Sequence, residues 1–597
     1  MNKLIESYNK KIEEFNAEIT IHKRKNNLIF YSRSILFIVT LIAFFYFITH
    51  HPIASFSIIP FTVVVFLLLL NSEIRTSRKI TFLKNRIKVN EIEIDLLNKN
   101  YERLNEGIEF IDKQHNFISD LDIFGRKSIF QILNRTSTYT GRLKLANWLS
   151  QPFLNKDEIL GRQQAVKELA GKPEWSEHFI AHGFSNKEES TDKDIIKDWL
   201  NEPSDFLSEF FKIVSILLPI LTLLALILYL TNSTSSSPFT FLFFIQLTIV
   251  GFNTKKINRT HDKLSRKFDS IEKYITLISL IETELFTSEK LNNLKSNFIS
   301  TEKSASRSIH KLKKLVDTLD SRMNIVVAIL LNGIFMWDIN VMKNIEKWRN
   351  EYQKDFLKWI DAIGEFDAFI SLGLYSYNSP GYAFPEIDTQ KFVIEAENIG
   401  HPLINENKLV KNNYHIEGYP KIDLLTGANM AGKSTFLRTI GVNLILAMIG
   451  APVCASKFRF TPISLFTSLR TNDSLQENES FFYAELKRLQ LLIHHYENGQ
   501  TIFSLLDEIL KGTNSKDQHS GSEALIKKIV KLNGVGIVAT HDVELSKLNN
   551  ELPNNIRNLC FEIEIIDDRL NFDYKIKDGV CMTMNASFLM KKMGITD

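Results

Sequence analysis

The sequence predicts a multidomain chain: an α-helical body carrying two transmembrane helical hairpins, followed by a C-terminal α/β domain with a phosphate-binding P-loop. Three observations predict it. Residues 34–72 and 213–254 contain no Asp, Glu, Lys or Arg. From about 255 to 370 the pattern is helical, without Pro and rich in Lys and Glu. After Ser379-Pro380-Gly381, short β-rich runs (KFVIEA, KIDLLTG, TIFSLLDE, GVGIVATH) alternate with helical stretches, as in a parallel α/β domain.

The charge-free runs need a physical cause. With 24% charged residues in the chain, a gap as long as the first has a chance on the order of 10⁻⁵ per starting position. The first run is too long for one span and suits two helices joined at His50-His51-Pro52. The second has the same form, with a turn from Thr231 to Ser237. Basic residues flank both hairpins (Lys23, Arg24, Lys25, Arg33, Arg75, Arg78 and Lys79; then Lys212, Lys255, Lys256 and Arg259), whereas the connecting turns hold no Lys or Arg. The positive-inside rule therefore places the charged sequence, both termini included, in the cytoplasm, and the protein as multi-pass in the cytoplasmic (inner) membrane. No signal peptide is expected, because the first apolar run follows some 30 largely polar residues. A third apolar run, Met323 to Trp337, is short for a span and is expected to be a buried helix.

The rest of the chain divides around these runs. Residues 1–33 read as an N-terminal cytoplasmic helix, 34–72 as the first hairpin and 73–118 as a second cytoplasmic helix that continues the hairpin and pairs with the first as a coil. Residues 119–205 read as a helical core, 206–254 hold the second hairpin, 255–379 form further helices, and 380–597 form the α/β domain. The basic helical stretch HKLKKLVDTLDSR reads as a solvated face. Three cysteines without C-x-x-C spacing read as buried hydrophobes in a reducing compartment, and a net charge of +3 gives no argument for a nucleic-acid partner.

One motif carries chemistry. GANMAGKST is G-x-x-x-x-G-K-[ST] between a strand and a helix. Gly427 and Gly432 let the backbone amides wrap phosphates, Lys433 reaches the β- and γ-phosphates of ATP, and the Ser434 hydroxyl ligates Mg²⁺. Ala428, Asn429, Met430, Ala431 and Thr435 complete the nucleotide-binding stretch. TIFSLLDE is a strand ending in two carboxylates: Asp507 holds Mg²⁺ and Glu508 activates the attacking water. His541, ending GVGIVATH, is placed to sense the γ-phosphate or that water.

In order, GANMAGKST, RTNDSLQENESFFYAELKRL, LLDEILKGTNSKD and ATHD closely resemble the ATPase domain of the MutS mismatch-repair family. The resemblance extends through YAFPEI and NIGHPLI upstream and DGVCMTMNASFLMKKMGI downstream, and IFQILNRTSTYTGRLKLANWLSQPFLNKDEILGRQQAVKELA is similar to the start of that family's helical core. The resemblance implies a homodimer through ABC-type ATPase domains, each site completed by the partner subunit. It places Ser480 at the serine that reaches the other subunit's γ-phosphate, and Gly512, Thr513, Asn514 and Ser515 in the segment communicating between subunits. Residues 255 to 370 then correspond to the lever and clamp. Three departures stand out. No mismatch-reading domain or connector is expected before the core, and Phe384-Pro385-Glu386 is no mismatch wedge. No nuclease-like extension is expected after the ATPase domain. Where many members stack an aromatic ring on adenine, KLVKNNY offers only Leu409 or Val410.

The implied function is a membrane-anchored, ATP-dependent dimeric clamp on mismatched or branched DNA. The alternative is an ATP-driven switch of a membrane or protein assembly without DNA, with an unidentified protein partner. An ABC exporter fits poorly, since no LSGGQ-type run is present.

Overall fold

A computed structural model describes residues 2–50, 52–185, 192–266, 268–300, 303–320, 324–428, 430–469, 481–566 and 569–581. Two long helices open the chain, α1 (Asn2–His50) and α2 (Pro52–Leu97), packed side by side. Each is continuous from its charged end into its apolar end, and Phe15, Ile19 and Leu83 form a small core between the charged halves. The second cytoplasmic helix, expected to reach residue 118, ends at Leu97. The Asn98–Asn100 turn puts Lys99 in the left-handed region (φ 57°), and Gly107 follows at φ 65°; a regular helix tolerates neither conformation.

Five short helices build the core: α3 (Ile129–Leu133), α4 (Tyr139–Ser150), α5 (Lys156–Ala170), α6 (Pro173–Gly183) and α7 (Asp192–Leu200). Ser128, Thr138 and Asn155 cap the amides of α3, α4 and α5. The second apolar run forms α8 (Glu209–Leu230) and α9 (Ser237–Arg266). Then come α10 (Phe268–Thr283), α11 (Glu289–Ser296), a two-residue ladder of β1 (Ile299–Ser300) and β2 (Lys303–Ser304), and α12 (Ala305–Asp320), which buries Ile309, Leu312, Val316 and Leu319 and turns Lys311 and Lys314 outward. α13 (Ile325–Phe335) precedes α14 (Trp337–Tyr377), a 41-residue rod whose C-terminal half is buried among α4 and α5.

Among the described residues, four helices are long and apolar enough to cross a membrane: α1, α2, α8 and α9. The third apolar run departs from expectation. Of α13, only Asn332 and Gly333 are buried, whereas Ile325, Val326, Val327, Ile329, Leu330 and Phe335 are exposed. The helix lies on α8 and α9 instead of entering the core, so one side packs on them and the other is exposed among the described residues.

The C-terminal domain holds two sheets. β3 (Glu386–Ile387), β4 (Val393–Ile399), β5 (Asn412–Glu417) and, later in the chain, β7 (Lys457–Phe460) form a four-stranded sheet in the order β3-β7-β4-β5. The other elements are β6 (Lys421–Gly427), α15 (Lys433–Met448), β8 (Ser464–Ser468), α16 (Phe481–Glu497), β9 (Ile502–Asp507), α17 (Ser515–Lys531), β10 (Val535–Thr540), α18 (Leu548–Glu551), β11 (Ile556–Ile566) and β12 (Arg569–Asp578). The six-stranded sheet runs β12-β11-β6-β10-β9-β8, parallel except for β12. β6, β9 and β10 therefore end on the same sheet edge, where open α/β sheets hold ligands.

The core and the α/β domain are joined by buried polar contacts. Asp120 accepts hydrogen bonds from Thr467 Oγ1 (2.6 Å) and the Leu469 amide (3.1 Å), and Arg488 donates to the Asn116 carbonyl (2.9 Å). The guanidinium of Arg162 donates to the Ile449 carbonyl (2.9 Å) and lies 3.7 Å from the Trp148 ring centroid.

Candidate functional site

The loop between β6 and α15 is shaped by its glycines. Gly427 (φ 155°) and Gly432 (φ 106°) adopt positive φ, and a Cβ on Gly427 would sit 3.0 Å from the Phe561 carbonyl oxygen. Gly432 caps α15, so the free amides of the first helical turn face the loop. Ala428 and Met430 line the cavity beside it, Met430 is highly exposed, and Ala431 is buried beneath. Asn429 lies outside the described residues.

Lys433 is folded back into the loop. Its Nζ donates to the carbonyls of Gly427 (2.7 Å) and Ala428 (3.0 Å) and lies 3.3 Å from His541 Nδ1. Burial lowers its pKa, and the nearby Glu508 and Asp507 charges oppose that fall. Beside it, the Ser434 hydroxyl donates to Asp507. The other carboxylate oxygen of Asp507, Oδ1, is buried with no hydrogen-bond partner among the described residues. Burial raises the pKa of Asp507 against the Ser434 hydrogen bond, and the charge of Glu508 raises it further. A hydroxyl, a carboxylate and an unused buried oxygen fit one hard divalent cation that takes its remaining ligands from water and phosphate. No cluster of three or more His, Cys, Asp or Glu side chains suited to a metal occurs among the described residues, so an all-protein cage is not what this site offers.

Glu508 follows β9 with a left-handed backbone (φ 48°), unusual for a residue other than glycine. Its amide donates to the Ala539 carbonyl (2.9 Å), and its carboxylate contacts His541 and Lys511. Burial pushes its pKa up, but the hydrogen bonds from His541 and Lys511 outweigh that and hold it at about 2. Glu508 is thus ionised and lines the same cavity as Lys433, although the His541 and Lys511 contacts that hold it ionised also make it a weaker base than a free carboxylate.

Lys433 and Glu508 border a cavity of about 410 Å³ that also reaches Ser434, Thr435, Leu409 and Val410. Two further lining residues escaped sequence reasoning. Tyr574, on β12 and 42% exposed, contributes an aromatic ring to the cavity wall, whereas Tyr414 of KLVKNNY is buried away from it, and the Tyr574 backbone carbonyl accepts from Asn412 Nδ2 (3.0 Å). Its sequence position gives no signal, because the strand pairing of β12 with β11 carries it across to the loop. His401 is buried within NIGHPLI; burial, then the Arg438 charge, lowers its pKa to about 4, and its Nδ1 accepts from the Leu403 amide (3.3 Å). The sequence flagged its neighbourhood without giving it a role. Asn514 caps α17 through the Asp517 amide (2.9 Å), with Gly512, Thr513 and Ser515 around it. Ser480 lies outside the described residues.

Comparison with known proteins covers both halves of this architecture. Residues 112–373 match the family model MutS domain III, and residues 423–592 match MutS domain V. The domain III match runs across α8, α9 and α13. The DNA mismatch repair protein MutS of Finegoldia magna is 26% identical over 549 residues, covering 81% of this chain and 61% of that protein. That of Aquifex pyrophilus is 24% identical over 502 residues, covering 76% and 57%. That of Leptospira interrogans is 30% identical over 256 residues, covering 41% and 30%. The chain therefore spans between 30% and 61% of the length of these relatives.

Proposed function

This chain belongs to the MutS family, and we propose that it is a membrane-anchored ATPase of that family, whose ATP-dependent dimerisation clamps mismatched or branched DNA. The observation that carries the ATPase reading is the convergence of Lys433, Ser434, Asp507, Glu508 and His541 at one sheet edge. The amides opening α15 and the ammonium of Lys433 bind the triphosphate. Ser434 and Asp507 hold Mg²⁺, which neutralises phosphate charge when bound. Glu508 takes the proton of the attacking water, and His541 orients that carboxylate. Leu409, Val410 and Tyr574 supply apolar contact to the base. Anchorage through α1, α2, α8 and α9 in the cytoplasmic membrane rests on their length and apolarity and on the basic flanks. The DNA reading rests on the relatives named as DNA mismatch repair proteins.

A second reading, an ATP-driven switch of a membrane assembly, is favoured by one contact. Pro219 in α8 has no amide to give the Ser215 carbonyl one turn earlier, and Asn340 Nδ2 of α14 donates to that carbonyl instead (3.2 Å), while Lys343 Nζ donates to Ser215 Oγ (2.6 Å). The rod whose far end is buried in the core is thus tied to a weak point of an apolar helix. A mobility-shift assay of the full chain in nanodiscs, on mismatched, branched and plain duplex with and without ATP, separates the readings. ATP-modulated, salt-sensitive binding supports the clamp. ATP hydrolysis without binding to any duplex leaves the switch.

A further inference from the structure

The exposed face of α13 is not accounted for by four membrane-crossing helices. Its sequence, IVVAILLNGIF, has no charge, and its uncovered side chains (Ile325, Val326, Ile329, Leu330) adjoin the exposed apolar faces of α8 and α9. Three contacts give its height along those helices. Asp320, ending α12, meets His261 of α9 (2.7 Å), on the charged side of Lys255. Gly333, near the end of α13, packs so closely on Phe243 of α9 that a Cβ would come within 2.2 Å of the ring. Phe243 lies roughly 18 Å beyond Lys255 at 1.5 Å per residue. Asn340 then returns to Ser215, close to Lys212 at the charged end of α8. Asn340 Nδ2 also donates to the Phe335 carbonyl (2.9 Å), so α13 ends and α14 begins beside Ser215, inside the charge-free run, with the chain reversing at Met336, which is buried with φ 47°. An 11-residue helix is about 16 Å long, half the thickness of a bilayer's hydrocarbon core.

We propose that α13 is a re-entrant membrane helix, its exposed face covered by the acyl chains of the cytoplasmic leaflet, so that the rod α14 begins inside the bilayer. This rests on the membrane anchorage of α8 and α9 proposed above. Lipid is the occupant argued for because the face continues that of α8 and α9 and carries no charge or unpaired polar side chain to direct a protein partner.

The test places spin labels on Ile329→Cys and Leu330→Cys in the full chain, reconstituted in phosphatidylethanolamine/phosphatidylglycerol nanodiscs. Leu224→Cys on α8 and Lys311→Cys on α12 serve as references, and ATPase activity equal to the parent shows that each variant folds. Collision rates with oxygen and with a water-soluble nickel chelate are compared. Oxygen is expected to dominate at 329 and 330 as at 224, and nickel at 311. Nickel dominance at 329 and 330, with oxygen still dominant at 224, overturns the re-entrant helix alone. Nickel dominance at 224 as well overturns the membrane anchorage and the re-entrant helix together.

Discussion

The imidazole of His541, just beyond the end of β10, contacts the carboxylate of Glu508, just beyond the end of β9. That contact, with Lys511 on the same carboxylate, keeps Glu508 ionised despite its burial. Glu508→Gln is expected to slow ATP hydrolysis at least ~10²-fold while leaving ATP affinity within a few-fold. His541→Ala, which leaves the base in place and held by Lys511 alone, is expected to slow it less. Phosphate release and equilibrium ATP binding, measured on the same samples, check both; parent-like turnover in Glu508→Gln would remove it from the proton-accepting role.

Lys433 donates to the Gly427 and Ala428 carbonyls, so it holds the loop in addition to the phosphate-binding role proposed for it. Each hydrogen bond to a charged group contributes about 1.5–3 kcal/mol. Lys433→Ala is expected to weaken ATP binding by more than ~10²-fold, read by isothermal calorimetry.

Asp507 offers an unpartnered buried oxygen beside Ser434. Asp507→Asn is expected to raise the Mg²⁺ concentration for half-maximal hydrolysis by ~10-fold or more, with nucleotide affinity in EDTA nearly unchanged. An unaltered Mg²⁺ titration would move the cation elsewhere.

Tyr574 lines the cavity together with Leu409 and Val410, as do the rings of His401, Phe436 and Phe561. Removing a ring that stacks on a base costs about 1–3 kcal/mol. Tyr574→Ala is expected to weaken ATP binding ~10-fold or more and Tyr574→Phe to leave it unchanged, while inorganic triphosphate binds both variants like the parent.

Burial and Arg438 hold His401 neutral down to about pH 4, whereas an unfolded histidine takes its proton near pH 6.5. The unfolded state therefore binds more protons between those values, and stability falls as pH drops from about 6.5 toward 4, by on the order of 3 kcal/mol for this group. His401→Gln, which has no proton to gain, is expected to show a smaller loss of thermal stability between pH 7 and pH 5 than the parent. An identical loss would assign the acid sensitivity to the other buried histidines.

Much of this was legible in one dimension. The glycine-rich loop and the two strand ends could be read because phosphate chemistry fixes residue types at fixed local spacing. The apolar hairpins could be read because long charge-free runs have few other physical causes. Local spacing also misled. Residues 98–118 carry a helix-like apolar pattern, yet Lys99 and Gly107 turn the chain. The run 323–337 has the composition of a buried helix, and nothing in it says whether protein or another apolar medium covers it.

By itself, then, the sequence determined the family, the glycine-rich turn between a strand and a helix, the two carboxylates Asp507 and Glu508 at a strand end, and where the apolar helices lie, since each depends on residues adjacent or periodic in the chain. Only the tertiary structure decided that His541 meets Glu508, that Tyr574 lines the cavity, that Asp120 joins core to α/β domain, and that α13 lies against α8 and α9 with its apolar face outward. Those are contacts between residues far apart in sequence, set by strand order and helix packing, and no local pattern encodes them.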